Sequence, residues 1–214
     1  MAKPSRLFLV RHGETDGARE RRFCGELDVP LNAAGRRMAE ELGEFYADHP
    51  WAALYASPRQ RTRDTVAPLA ARTGLEVRIE PGLREIAYGA WEGKLEEELR
   101  RSHPLEFEAW LSDPGRNRPP GGESGIEIAE RALAAVDRIR AAQPEGDVLC
   151  ATHKATIRVL VCRLLGIDVG LFRRRIAAPP GGLTVFELRD EGPLLLALAD
   201  CRHLSRGLQG DFGD

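Results

Sequence analysis

The chain has 214 residues, enough for one domain with a sizeable core and short for two independent ones. Its 43% hydrophobic and 30% charged residues are ordinary for a globular protein, and a net charge of -2 argues against a general nucleic-acid or membrane-binding surface. No run approaches the ~20 apolar residues needed to cross a bilayer.

The start, Met1 to Arg6, leads directly into an apolar segment without the h-region of a signal peptide, so a cytoplasmic location is expected. Cys24, Cys150, Cys162 and Cys201 are scattered, with no CxxC pair and no metal-ligand spacing. Only Lys3, Lys94 and Lys154 are lysines among the 31 basic residues. That bias carries no functional weight; the positions of the arginines do.

Leu7-Phe8-Leu9-Val10 suits a strand buried on both faces. A polar loop is expected from Gly13 to about Leu31, and Asn32 then caps a helix carrying Met38, Leu42 and Phe45 on one stripe. Residues 52–56 form a second expected strand. Ser57-Pro58-Arg59-Gln60 resembles a helix start, with Ser57 at the N-cap and Pro58 at the first position, and Gly74 ends that helix. A short strand over residues 76–79 precedes an interruption from Pro81 to Pro120, where helical pieces at 95–101 and 105–111 read as an insertion over the sheet. Ser124-Gly125-Ile126-Glu127 is a capping box, and the helix behind it turns Ile128, Ala132, Ala135, Val136 and Ile139 to a core. A buried strand at 148–152, a helix at 155–165 and a closing strand pair at 183–188 and 194–199 complete the chain, with a loose tail from Arg206. The alternation predicts an α/β fold: a three-layer domain with a mainly parallel central sheet flanked by helices. One domain over 1–214 is expected, with a small helical cap insertion at about 93–120.

Chemistry concentrates at two strand ends. Arg11-His12-Gly13-Glu14-Thr15 follows the first strand, and ligands of open α/β sheets bind beyond the carboxyl ends of strands. Thr152-His153 follows the strand at 148–151 at a helix N-terminus, which favours anions. Arg61, one turn into the helix after Ser57, can aim a guanidinium at the same crevice, in the planar fork that suits phosphate.

These residues carry a resemblance. Leu9-Val10-Arg11-His12-Gly13-Glu14-Thr15 resembles the signature of the histidine phosphatase superfamily, in its phosphoglycerate-mutase-like branch. Further blocks follow in the family's order: Arg22-Phe23-Cys24-Gly25 with Pro30-Leu31-Asn32, Ser57-Pro58-Arg59-Gln60-Arg61, Leu83-Arg84-Glu85-Ile86 with Gly89-Ala90-Trp91-Glu92-Gly93, and Gly121-Gly122-Glu123-Ser124 with Thr152-His153.

The resemblance implies a phosphomonoester hydrolase that needs no metal and no cofactor and works through a phosphohistidine at His12. Arg11 and Arg61 would keep that imidazole neutral and, with His153, stabilise the charge of the transferring group. Glu85 resembles the proton donor to the leaving oxygen and must hold a proton for that step; Glu92 competes for the role. Gly13, Thr15, Cys24 and Gly25 fall at substrate-binding positions, and Lys154 and His203 are candidates for holding a carboxylate. The expected partner is a small phosphorylated, acidic metabolite, not nucleic acid or membrane, and a homodimer is admitted.

Several residues have plainer readings. Glu123 and Ser124 read as helix-start residues, Trp91 as packing, His49 and His103 as exposed, and Arg173-Arg174-Arg175 as a solvated face, although such an Arg-rich surface could also meet an acidic substrate. Three positions depart from the family pattern: Ala18 stands where many members carry asparagine, Lys154 where glycine is usual, and Pro179-Pro180-Gly181-Gly182 replaces an Asn-containing strand entry. Two rivals remain at this point, a cofactor-dependent phosphoglycerate mutase and a non-catalytic phosphate-binding scaffold. The short segment from Gly93 to Pro120 favours hydrolysis, and the complete set of catalytic residue types disfavours the scaffold.

Overall fold

The computed structural model describes residues 5–209. Its strands are β1 (Ser5–Arg11), β2 (Trp51–Ala56), β3 (Val77–Ile79), β4 (Asp147–Thr152), β5 (Leu183–Arg189) and β6 (Gly192–Asp200). They form one sheet in the order β3-β2-β4-β1-β5-β6. The first four run parallel, while β5 joins β1 and β6 joins β5 antiparallel. The helices are α1 (Asp16–Arg19), α2 (Ala33–Phe45), α3 (Gln60–Thr73), α4 (Glu96–Ser102), α5 (Pro104–Ser112), α6 (Gly125–Ala142), α7 (Lys154–Leu164) and α8 (Phe172–Arg175).

β1 shows why three layers form. Leu7 and Leu9 point to one face, where they meet Ile128 and Ile139 of α6 and Ile157 and Leu160 of α7. Phe8 and Val10 point to the other, against Leu42 of α2 and Val66 and Leu69 of α3. A strand covered on both faces has no polar side to alternate with, hence its continuous apolar run. Each such buried side chain stabilises the fold by about 1.5–3 kcal/mol relative to exposure. The capping signals at Asn32 and Ser124 form as expected: the Asn32 side chain accepts from the Gly35 amide and that of Ser124 from the Glu127 amide. Gly74 closes α3 at a φ of 71°. No helix among the described residues is long and apolar enough to cross a membrane.

Several local expectations are corrected. The loop after His12 contains α1, capped by Thr15. Phe45 is 54% exposed, because the buried stripe of α2 ends at Leu42 and Gly43. α3 starts at Gln60 behind Arg59, not at Ser57, whose hydroxyl is used elsewhere. His49 is half-buried and pairs through Nε2 with Asp147 Oδ2 at 2.8 Å. Of the three consecutive arginines, Arg174 and Arg175 are exposed as expected, whereas Arg173 is half-buried with its guanidinium 4.3 Å from the Trp110 ring centroid. Of the expected tail, residues 210–214 lie outside the described region, and Leu208 packs with Met38, Cys201 and Leu204.

α4 and α5, within the expected insertion, gather aromatic side chains into a separate cluster. Trp91, Leu99, Phe107 and Trp110 are all buried there, with Phe23 and Tyr88 against them. The packing role expected for Trp91 holds.

Candidate active site

The sheet order places β1 beside β4, with Arg11 opposite Thr152. The His12 amide donates to the Thr152 carbonyl at 3.0 Å, so the two strands release the chain at the same level. His12 and His153 therefore face each other with ring centroids 5.3 Å apart. After β1 the chain leaves for the face covered by α2, and after β4 for the face covered by α7. That divergence opens the crevice in which ligands of such sheets bind.

His12 is 5% exposed. Its Nδ1 lies 2.8 Å from the Gly13 carbonyl oxygen, which can only accept. The hydrogen bond thus puts the proton on Nδ1 and leaves the lone pair on Nε2. Burial pushes the imidazole well below the usual histidine range, and the charges of Arg61 and Arg11 push it the same way. The result is a neutral ring with a fixed tautomer, the form a nucleophile requires.

Gly13 holds this geometry from behind. Its amide donates to Thr65 Oγ1 at 2.9 Å, and that hydroxyl donates to the Arg61 carbonyl at 2.7 Å. A Cβ on Gly13 would lie 2.5 Å from the Gly35 carbonyl oxygen. Arg11 donates to the Ala178 carbonyl at 2.7 Å, and burial lowers its guanidinium to about 10, still charged at neutral pH. Gly181 in the following turn donates back to the Arg11 carbonyl at 3.1 Å, so the Pro179-Pro180-Gly181-Gly182 substitution serves to close the end of β1.

Arg61 has two tasks. It is 1% exposed and donates to the Leu27 carbonyl at 2.7 Å and the Gly25 carbonyl at 2.9 Å. It therefore clasps the loop over the crevice as well as supplying charge. Glu92 clasps the same loop from the other side, accepting from the amides of Gly25 at 3.1 Å and Glu26 at 2.9 Å. Glu85 instead lines the cavity, held by the amide of Ile86 at 3.0 Å and that of Ala155, at the start of α7, at 3.2 Å. The two candidate carboxylates are thus separated by geometry: one is committed to backbone amides of a loop and the other faces the cavity.

His153 is fully buried behind His12 and does not line the cavity. Its Nε2 lies 2.7 Å from Ser57 Oγ, and its Nδ1 has no hydrogen-bond partner among the described residues. Thr152 Oγ1 donates to the Leu83 carbonyl and Thr156 Oγ1 to that of Arg84, each at 2.6 Å, which locks the Glu85 segment to the end of β4. Glu123, read as a helix-start residue, also ties that segment. It accepts from Arg84 and from the Ala87 amide, and Arg131 binds it at 3.0 Å.

The cavity has a volume of about 310 Å³. Arg11, His12, Thr15, Cys24, Arg61, Glu85 and Lys154 all line it. Gly13, Gly25 and His153 support it from behind, and a Cβ on Gly25 would meet the Ile86 carbonyl at 1.8 Å. Thr15 Oγ1 accepts from the Ala18 amide at 3.1 Å. His203 is not brought to the site; it is buried against the rings of Phe45 and Tyr46. The sequence reading does not assign Ser57, Tyr88, Trp110 or Arg158 to the site, and it places Arg173 first in a solvated face. Arg158 was within reach, standing one helical turn from Lys154; Ser57 reaches the site through the pairing of β2 with β4, and the rest depend on how the insertion and α8 fold back. Arg19, Arg21 and Arg22 line one lip, and Lys154, Arg158 and Arg173 the opposite wall. No three His, Cys, Asp or Glu side chains among the described residues are grouped as metal ligands.

The comparisons with known proteins accord with this site. The profile of the histidine phosphatase superfamily (branch 1) matches residues 7–201. The chain belongs to this superfamily. It is 31% identical over 167 residues to phosphoserine phosphatase 1 of Hydrogenobacter thermophilus, covering 78% of this chain and 79% of that one. It is 33% identical over 171 residues to glucosyl-3-phosphoglycerate phosphatase of Mycolicibacterium vanbaalenii, covering 77% and 76%. Among solved structures, YhfR of Bacillus stearothermophilus superposes with a TM-score of 0.86 at 29% identity, covering 93% of this chain and 98% of that one. Some mycobacterial relatives at 34% identity are longer, and the match spans 45% of their length. The chain is a phosphatase-type hydrolase of the phosphoglycerate-mutase-like fold.

Proposed function

We propose that the protein hydrolyses small acidic phosphomonoesters by transferring the phosphoryl group to His12 Nε2, without a metal ion. The observation that carries this reading is the Nδ1 hydrogen bond to the Gly13 carbonyl in a buried, arginine-flanked imidazole, which makes Nε2 the nucleophilic nitrogen. In the first step a bond forms between Nε2 and phosphorus while the ester P–O bond breaks, and Glu85 gives its proton to the departing alkoxide. In the second, Glu85 takes a proton from water as that water attacks phosphorus, and Nε2 leaves with its electron pair. Arg11 and Arg61 hold the equatorial oxygens, and His153, held through Nε2 by Ser57, supports the His12 ring from behind.

The segment at 93–120 acts as the cap of this site in a single domain, and the cytoplasm is the compartment that fits the reading. The names of the relatives, a phosphoserine phosphatase and a glucosyl-3-phosphoglycerate phosphatase, support a carboxylated metabolite as the substrate class. A panel of phosphorylated metabolites, assayed for phosphate release with EDTA present, tests the reading. Release that survives chelation agrees with it; loss on chelation with recovery on added Mg²⁺ contradicts it. The same panel, with mutase turnover of 3-phosphoglycerate followed in parallel, separates hydrolysis from transfer.

A further inference from the structure

Resting on the phosphatase reading, we propose that the wall of the cavity formed by Arg173 and Trp110, with Lys154 and Arg158 beside them, is a second oxyanion subsite that takes the substrate's carboxylate.

The charge balance of the cavity motivates it. Eight arginine and lysine side chains line it against three glutamates. A lining in which cations outnumber carboxylates suits an anionic ligand, and a carboxylate carried by the phosphomonoester adds to that match. The position of Arg173 separates its task from the phosphoryl chemistry. The charges acting on His12 are those of Arg61 and Arg11, while Arg173 acts on Tyr88, a half-buried phenol on the cavity wall.

Arg173 is also pre-positioned. Its guanidinium lies 4.3 Å from the Trp110 ring centroid, which restricts the side chain to a plane and lowers the entropy lost on binding. Trp110 contributes a second donor. It lines the cavity, and its buried indole Nε1 has no acceptor among the described residues. A buried donor of this kind calls for a partner, and an oxygen of a bound ligand can be one. Lys154 and Arg158, four residues apart, occupy one face of α7 and extend the cationic wall toward Arg11. A carboxylate, planar with two acceptor oxygens, matches the fork of a held guanidinium.

The test compares substrate pairs that differ in the carboxylate: L-phosphoserine against phosphoethanolamine, and 3-phosphoglycerate against glycerol 3-phosphate. The proposal expects the wild type to prefer the carboxylated member of at least one pair. It expects R173Q to lower kcat/KM for that member about 10- to 100-fold more than for its counterpart, mainly through KM. R173K should recover part of the difference. W110F, which keeps the stacking ring and removes the N–H, should shift the same ratio in the same direction by a smaller factor. Equal losses on both members, or none on either, would overturn the subsite, as would a wild type indifferent to the carboxylate in both pairs. A wild type that also fails to hydrolyse p-nitrophenyl phosphate would instead overturn the phosphatase reading beneath it.

Discussion

The two ends of the cavity are built differently. Beneath His12 the positions are set by backbone: a carbonyl of β4, the Gly13 carbonyl and amide, and the first turn of α7 fix the reacting groups. The opposite wall is made by side chains reaching from the insertion and from α8, stacked ring on ring and guanidinium on ring. The first arrangement follows from sheet topology and tolerates little change. The second can be altered without touching the strands. On the proposed reading, reaction chemistry belongs to the sheet and substrate choice to the wall, and variants at each end should fail in different ways.

His12→Ala should give the largest effect, lowering kcat by at least about 10³-fold, because without the nucleophile only the binding and electrostatic contributions remain. Its thermal midpoint should stay near that of the wild type, since the ring sits at a strand end. Substantial residual turnover in purified variant would place the nucleophile elsewhere.

Arg61→Ala should cost about 10²–10³-fold in kcat/KM, from the loss of one charge at the transferring group. The Gly25 and Leu27 carbonyls also lose their donor, so the loop should become more sensitive to proteolysis. Arg61→Lys should restore less than the charge alone suggests, because an ammonium lacks the fork that spans both carbonyls. Full recovery by lysine would show that the clasp is unimportant.

Gly25→Ala tests the loop from the opposite direction. Its Cβ would press on the Ile86 carbonyl, and a destabilisation of about 1–3 kcal/mol in urea unfolding is expected, with the carboxylate preference of the enzyme unchanged. An unaltered midpoint would mean the 24–27 loop yields freely.

The smallest effect is on acid stability. Burial is the main cause of the lowered basicity of His12 and of His153, so the unfolded chain binds protons that the native state does not. Stability is therefore fully present above the unfolded value of about 6.5 and falls as pH drops below it, until the native rings themselves protonate. Each ring can contribute at most about 1.4 kcal/mol per pH unit in that window. The thermal midpoint of His12→Asn should consequently fall less than that of the wild type between pH 7 and pH 5. Parallel curves for the two proteins would show that His12 titrates alike in both states.

Much of the backbone-built end was legible in the sequence. Strand ends were marked by continuous apolar runs giving way to Arg11-His12 and Thr152-His153, and caps at Asn32 and Ser124 could be read from side-chain chemistry. Ser57 shows the limit of local rules. It looks like a helix cap, yet its hydroxyl meets His153, a residue 96 positions away, and the helix starts later. The side-chain-built wall was not legible for the same reason. Arg173 lies among three consecutive arginines that resemble a solvated patch, and only the fold of the insertion reveals Trp110 beneath it. Lys154 was found because it neighbours a recognised histidine, whereas the suggestion at His203 failed to reach the cavity because the C-terminal segment packs on Phe45 and Tyr46.

The most direct test of the central claim is to trap the phosphoenzyme. Brief mixing of enzyme with a ³²P-labelled substrate, followed by a denaturing quench, should yield protein-bound label that is stable to base and labile to acid. Peptide mapping under basic conditions should place it on the peptide containing His12, and the His12→Ala protein should carry none. Label on another residue, or substrate turnover with no label while the quench is shown to preserve phosphohistidine, would contradict the account.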